Sequence, residues 1–161
     1  MAIQNSLTQL YKITSGTPPI TSNGGLTCDY ICLKNVHKCW IVVGAHNLGA
    51  ANATLLTPMR ATGILPAGAV VLAAAVQIWV NDDTATTDTL VAQAAAINYT
   101  LTADANPKLI VFEIDPAALG ATYDCISLVV GNSGNAGNHI SVNYFCDMRY
   151  KQATPPSVIL N

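Results

Sequence analysis

The fold is decided by three apolar segments in the last third of the chain: LIVFEID (109–115), YDCISLVV (123–130) and ISVNYFCDMRY (140–150). Their alternating or continuous apolar patterns, rich in β-branched and aromatic residues, are typical of strands. Turn-forming residues separate them in PAALGA (116–121) and GNSGNAGNH (131–139). The segment QATPPSVILN (152–161) then carries two prolines and an apolar end, which favours an extended arm. Strands followed by an apolar arm predict a β-rich domain that joins a partner.

Strand patterns recur upstream, in CDYICLKNV (28–36), KCWIVVGAHN (38–47) and ATLLTPMRAT (53–62). In the third of these, Pro58 indicates an edge strand or a bulge. AVVLAAAVQIWV (69–80) and DTLVAQAAAINYTLT (88–102) mix helix-forming alanines with strand-forming residues, and the second favours strand only near residues 97–101. Since no long amphipathic helix is indicated and turns recur every 10 to 15 residues, we predict a single all-β domain, a β-sandwich or jelly-roll-like fold.

Three segments follow from this pattern. We predict an N-terminal arm and loop at residues 1–24, including SGTPPITSNGG (15–25), a β-sandwich at 25–151, and an extended C-terminal arm at 152–161. The N-terminal residues show neither a basic stretch nor an apolar core of a signal peptide. The apolar run 64–80 is interrupted by Pro66, Gly68 and Gln77, which favours buried strands over a membrane span.

The chain is short of charge. Charged residues make up 10% of it, with a net charge of −2, against about 25% in ordinary soluble proteins. No basic stripe is present, so nucleic acid is not expected as a partner. A surface with little charge is poorly protected against association. This composition favours a protein that packs against copies of itself or against another protein.

The five cysteines predict reduced, buried thiols rather than a metal or disulfide framework: Cys28, Cys32, Cys39, Cys125 and Cys146. Cys28 and Cys32, four apart on a predicted strand, would lie ~13 Å from each other and could not pair. Together with His37 and Cys39 they offer zinc-ligand types, but the spacing matches no common zinc pattern. We therefore predict no metal and no other cofactor.

No catalytic constellation is indicated, and we predict that the protein is not an enzyme. Its histidines, His37, His46 and His139, adjoin residues typical of loops, and no nucleophile-elbow motif occurs. The carboxylate pairs Glu113/Asp115 and Asp82/Asp83 are better explained by strand ends and turns. The glycine-rich GNSGNAGN (131–138) leads into a strand rather than a helix, which predicts a mobile hairpin loop and not a phosphate cradle.

The aromatic residues leave two alternatives open. Trp40, Trp79, Tyr144 and Phe145 all lie within apolar strand runs, which predicts core packing. An exposed tryptophan among them would instead indicate a sugar-binding surface. The sequons at Asn52 and Asn98 carry little weight in the absence of a secretory signal.

Several phrases of the sequence resemble small structural proteins encoded in the head modules of tailed phages and prophages. DYICLKNV (29–36) is similar to the DYVSLKN opening of those proteins. Further similar phrases span the remainder of the domain, to about residue 158: IWVNDD (78–83), DTL (88–90), VFEIDPAAL (111–119), YDCI (123–126) and RYKQATPPS (149–157). The chain departs from the pattern in its cysteines at 28, 32, 39 and 146, which leaves open a disulfide or metal in this member.

The resemblance implies a virion structural protein, made in the host cytoplasm and located on the capsid surface. Within that group it implies a decoration (cement) protein that binds the major capsid protein and copies of itself, as a homotrimer, and stabilises the head, with no nucleic-acid or membrane partner. Apolar residues of the two terminal segments are the predicted interface, since an extended segment can add to a neighbour's sheet edge: Leu7, Leu10, Tyr11, Pro155, Pro156, Val158, Ile159 and Leu160. The alternatives are a carbohydrate-binding module or fibre-associated β-sandwich of the virion, and a small hydrolase using cysteine or zinc.

Overall fold

The computed structural model describes residues 7–47, 53–65 and 68–150, and the regular structure in these ranges is almost entirely β. A four-residue helix, α1 (Leu7–Leu10), precedes the first strand, and a 3-10 turn spans Pro116–Leu119. The described strands are β1 (Tyr11–Thr21), β2 (Leu26–Thr27), β3 (Ile31–Cys32), β4 (Val36–His46), β5 (Thr54–Ala61), β6 (Val70–Val71), β7 (Val76–Asn81), β8 (Val91–Ala96), β9 (Tyr99–Leu101), β10 (Pro107–Ile114), β11 (Cys125–Val130) and β12 (His139–Met148). Neither helix in the described ranges has the length and apolarity needed to cross a bilayer.

The strands form two antiparallel sheets that pack face to face. The first sheet has the order β1-β12-β4-β10-β7-β8. The second has the order β2-β11-β5-β6, with β3 also pairing with β11 and β9 with β5. The predicted all-β sandwich is confirmed.

The core lies between the sheets and is built from every second residue of the longest strands. In β4, Cys39, Ile41 and Val43 are fully buried, and their chain neighbours are only partly buried. The same alternation holds in β10 and β12, so their inward residues meet those of β11 in one continuous cluster. Two-residue periodicity is the expected consequence of a pleated strand with one face on the core.

Tyr144 is the largest side chain of this core and fixes the position of β1. It is fully buried on β12, and its hydroxyl donates to the backbone carbonyl of Asp29 at 3.0 Å. A Cβ atom at Gly16 would lie 2.5 Å from the Tyr144 ring. Gly16 therefore allows β1 to pass directly over the tyrosine.

The N-terminal prediction is wrong for residues 11–21, which were expected to lie outside the sheets. They form β1, the edge strand that pairs with β12 along its length. Two register irregularities, between Ser15 and Thr17 and between Thr17 and Ile20, interrupt the pairing. An edge strand with bulges tolerates Pro18 and Pro19 because the missing N–H groups need no ladder partner.

Pro58 is also placed differently from the prediction. It lies in β5, which has neighbours on both sides, opposite Leu128 of β11. On the other side, β9 pairs with residues 54–56 and β6 with Met59 and Arg60, so Pro58 falls in the gap between two short strands. On that side the Pro58 carbonyl accepts from the Leu72 amide. The N–H and C=O groups of a strand residue point to the same side, so the N–H that Pro58 lacks would also point into the gap between β9 and β6.

Three further segments and the histidines differ from their predictions. Residues 28–35 hold only the two-residue strand β3, with Val36 beginning β4. Strand structure in 88–102 begins at Val91 rather than near 97. The connection 131–138 joins strands of different sheets, so it is a crossover and not a hairpin. All three histidines lie within β4 or β12, not in loops. The short turn after Asp115 is confirmed, with the carboxylate accepting from Ala117 N at 2.8 Å.

The contact between Gly16 and Tyr144 gives a stability prediction. Gly16→Ala is expected to lower the free energy of unfolding by about 1–3 kcal/mol, because the added methyl overlaps a ring that is locked in the core. Chemical denaturation would measure the loss. Gly44→Ala is the matched control, since its Cβ would meet only the movable hydroxyl of Ser141, at 3.1 Å. Equal stability of the two variants would contradict the proposed role of Gly16.

Candidate interaction surface

Part of the outward face of the six-stranded sheet is apolar, where an exposed face is normally polar. Trp40 of β4 follows the buried Cys39 and precedes the buried Ile41, so its side chain points away from the core. It lies opposite Phe145 of β12 and Glu113 of β10. Two residues further along β4, on the same face, Val42 lies opposite Val111. Directly opposed residues share a face, so this surface crosses three central strands.

A groove of about 300 Å³ runs across this face and is lined by Leu7, Tyr11, Trp40, Val42, Val111 and Phe145. We call these six residues the apolar groove. The Tyr11 and Trp40 rings meet edge to face, with centroids 5.9 Å apart. Leu7, at the start of α1, is 54% exposed. Because the groove is almost wholly apolar, burying it against another surface would be favourable.

A charged group borders the groove. Lys38 Nζ lies 2.5 Å from Glu113 Oε2 and 5.6 Å from the centroid of the Trp40 ring. The other carboxylate oxygen of Glu113 accepts from the Trp79 indole N–H at 3.1 Å. The hydrogen bond from Lys38 is the main cause that holds the pKa of Glu113 below its usual value. Both oxygens of Glu113 are thus engaged in orienting neighbours, which opposes a role in acid–base catalysis.

Part of the interface predicted from the sequence lies in the apolar groove. Leu7 and Tyr11 of the predicted interface line the groove, and Leu10 is half-buried at the end of α1. The predicted Pro155, Pro156, Val158, Ile159 and Leu160 lie outside the described residues.

The aromatic residues divide between the two faces of the sheet. The prediction of core packing is confirmed for Tyr144 but wrong for Trp40, Trp79 and Phe145, which are half-buried on the outward face. Val42 and Val111 were missed altogether. The sequence did carry a signal for this surface. In the runs WIVV (40–43) and LIVF (109–112), the odd-numbered and the even-numbered residues are both apolar, and such runs indicate strands with two apolar faces.

The cysteines and histidine considered as zinc ligands separate in the structure. Cys28 is buried in the main core, and burial raises its pKa to about 12. Cys39 lies 3.7 Å, sulfur to sulfur, from Cys146. Cys32 instead joins Cys125 and Asp124, the one group of three potential metal-ligand residues found among the described residues. The raised thiol pKa of Cys28 opposes a nucleophilic role at neutral pH.

The remaining acidic candidates serve as structural partners. Asp115 caps the 3-10 turn, and Asp83 accepts from Ala85 N and from the Thr86 hydroxyl. Asp82 lies 3.8 Å from Lys108 Nζ, whose side chain is fully buried and also pairs with Asp104 at 2.6 Å. These contacts agree with the predicted turn and strand-end roles of the carboxylate pairs.

No protein-family model matches the chain, and no curated protein matches it. Among solved structures, the chain resembles the SPBc2 prophage-derived protein YomS, with 7% sequence identity and a TM-score of 0.47. The match covers 84% of this chain and 91% of the other. The structural neighbour is therefore a prophage-derived protein, and a likeness this distant defines neither partners nor activity.

The lowered pKa of Glu113 predicts a pH-dependent contribution to stability. A carboxyl whose pKa is lower in the folded protein stabilises the fold above its unfolded pKa of 4.5, and this contribution is lost as the pH falls through the folded value. Glu113→Gln should lower the free energy of unfolding by up to about 1 kcal/mol at pH 7, and the difference from wild type should vanish in strong acid.

Urea unfolding at both pH values would measure this difference. Asp88→Asn, which changes an exposed carboxylate in the β7–β8 connection, is the control. A Glu113→Gln effect that is the same at pH 7 and in strong acid would show that the ion pair does not contribute.

Proposed function

We propose that this protein is a structural component of a phage virion, a decoration protein that stabilises the head, and that its apolar groove is the contact between copies of the chain. The observation that carries this proposal is the apolar outward face of the six-stranded sheet. The resemblance of residues 29–158 to phage head-module proteins supports the virion, and the low charge supports an assembled state.

The dimensions of the face suit a second copy. Six strands span ~24 Å and the ten-residue β12 spans ~33 Å, which gives a face of about 800 Å². That is the area that each partner buries in a standard protein interface. Trp40, Tyr11 and Phe145 provide the aromatic anchors on which interface energy usually depends. The groove bears little charge, so a different apolar surface of the next copy in a trimer needs no charge complementarity to pack on it.

The role on the capsid follows from multivalency. A homotrimer presents three copies of each contact to the major capsid protein, so weak contacts combine into tight binding. The proposed site is the capsid surface, and the proposed partners are the major capsid protein and other copies of this chain. Nucleic acid and membrane are not part of the proposal.

A charge placed in the groove should break the assembly. Val42→Lys is expected to raise the dissociation constant of the oligomer at least tenfold, because a lysine would be desolvated at the centre of the contact. Val129→Lys is the matched control, a half-buried valine on the outward side of the other sheet. Light scattering coupled to size exclusion measures the masses, and sedimentation with expanded heads that lack decoration measures capsid binding.

The outcomes separate the parts of the proposal. An oligomer that Val42→Lys dissociates and Val129→Lys preserves supports the groove as the contact. Equal loss in both variants would reject the groove. A wild-type monomer that also fails to sediment with heads would reject the decoration role.

The C-terminal arm gives a second test of assembly. Deletion of residues 153–161 is expected to weaken oligomer or capsid binding while the sandwich stays folded. The end of β12 is held by a contact that the deletion leaves intact, because the Arg149 amide donates to the Asn35 carbonyl at 2.9 Å. Circular dichroism and thermal melting check the fold, and the mass and sedimentation measurements check binding. An unfolded deletion variant would show that the segment belongs to the core.

A carbohydrate-binding module is the second candidate, and one observation favours it. Trp40 and Trp79 are half-buried on the outward face, on either side of the Lys38–Glu113 pair, and stacking rings beside polar groups suit sugars. A monomer whose tryptophan fluorescence changes on titration with host surface glycans would favour this function. A wild-type oligomer with unchanged fluorescence would favour the decoration role.

A further inference from the structure

Cys32 and Cys125 lie directly opposite each other where β3 pairs with β11. Directly opposed residues of antiparallel strands point to the same face of the sheet. Cys125 is fully buried in a small second cluster with Tyr30 and Ala61, and Cys32 packs against that cluster while partly exposed. The two sulfur atoms and a carboxylate oxygen of Asp124 all lie within 4.8 Å of one another.

The hydrogen bonds around this pair show which kind of cross-strand pair it is. The Leu33 amide donates to the Asp124 carbonyl at 2.7 Å, immediately beside the Cys32–Cys125 pair, while the Asp124 amide donates to the Ala61 carbonyl at 3.2 Å. Hydrogen-bonded and non-hydrogen-bonded pairs alternate along an antiparallel ladder, so Cys32 and Cys125 form a non-hydrogen-bonded pair, with Cα atoms ~4.5 Å apart. Disulfides occur at Cα separations from about 4.4 to 6.8 Å. The pairing of the two strands therefore places the Cα atoms of these cysteines within the range that a disulfide spans.

We propose that Cys32 and Cys125 form a disulfide that ties β3 to β11 when the protein meets a thiol oxidant such as glutathione disulfide. The Cys32 thiolate, formed by loss of its proton to water, attacks one sulfur of glutathione disulfide and releases a glutathione thiolate. The Cys125 thiolate then attacks Cys32 Sγ and releases the second. Two cysteine thiols lose two electrons and two protons, and one glutathione disulfide becomes two glutathione molecules.

Exposure distinguishes this pair from the other close cysteines. The sulfur atoms of Cys39 and Cys146 are 3.7 Å apart, but both residues are fully buried between the sheets. An oxidant reaches them only after the sandwich opens, whereas it reaches Cys32 in the folded protein. Cys32 and Cys125 should consequently be oxidised first.

A metal ion is the competing occupant of the same three residues, and the local contacts disfavour it. Lys34 Nζ lies 3.1 Å from one carboxylate oxygen of Asp124, and the Cys125 thiol donates to the other at 3.3 Å. A bound cation would have to displace both. Burial also raises the pKa of Cys125, so the Cys125 thiolate that a metal would need is disfavoured. Because Cys125 must lose its proton before it attacks Cys32, oxidation should be faster at higher pH.

The bond would secure a weak part of the second sheet. β3 contributes only two residues to its pairing with β11, and a bond from residue 32 to residue 125 would close a loop of about 90 residues. Closing a loop of that size restricts the unfolded chain strongly. We expect the oxidised protein to melt roughly 5–10 °C above the reduced one.

The test treats the purified full chain with glutathione disulfide at pH 8 and follows it by intact mass, peptide mapping and thermal melting. The expected result is the loss of two hydrogen atoms, a peptide linking residues 32 and 125, and the rise in melting temperature. Cys32→Ser and Cys125→Ser should abolish all three, and the Cys39→Ser control should retain them. Cys125 is buried, so Cys125→Ser could fail to fold. Cys32 is partly exposed, so Cys32→Ser is expected to fold and still removes the bond.

Three results would overturn the proposal. The first is a Cys39–Cys146 bond formed in preference. The second is a stable mixed disulfide of Cys32 with glutathione that Cys125 does not resolve. The third is stoichiometric zinc, bound by wild type but not by Cys32→Ser, that protects both thiols from oxidation, which would assign a metal site instead.

Discussion

The structure depends on β4 being apolar on both of its faces. Its inward residues, such as Ile41, fill the core, and its outward residues, such as Val42, cover the opposite face of the same sheet. β12 and β10 pair with it along most of its length, so the apolar character extends sideways across three strands. A strand with two apolar faces is normally covered on both. The second sheet covers one face of β4 here, and the groove on the other is open to a partner.

The sandwich itself was predictable because its long strands carry strong local signals. The apolar runs in 38–47 and 109–115 identify strands without any knowledge of their partner strands. β1 was missed for the opposite reason: its Ser, Gly and Pro residues have low strand propensity, and only pairing with β12 and contact with Tyr144 hold it in the sheet. Strands of two residues, such as β3, likewise exist only through their long-range partners.

The candidate site was harder to predict than the fold. Periodicity shows that Trp40 and Ile41 point to opposite faces, but not which face a second sheet will cover. The cysteines illustrate the same limit, since Cys32 lies near Cys28 and His37 in the sequence yet meets Cys125 in space. The residue types near Cys32 suggested zinc, and their spacing in the sequence argued against it. The neighbour that Cys32 has in the fold, Cys125, is set by strand register. Register is a property of the whole sheet and is not visible in a single segment.

The distribution of polar contacts supports the proposed assembly role over a catalytic one. Catalysis needs groups whose charge or proton is free to change, in a pocket from which water can be excluded. Glu113, the carboxylate opposite Trp40, is instead engaged by Lys38 and Trp79. The apolar groove beside it offers aromatic and aliphatic side chains, bordered by the Lys38–Glu113 ion pair. Such a surface gains free energy by being covered, and in the proposed assembly neighbouring subunits would provide that cover at high local concentration.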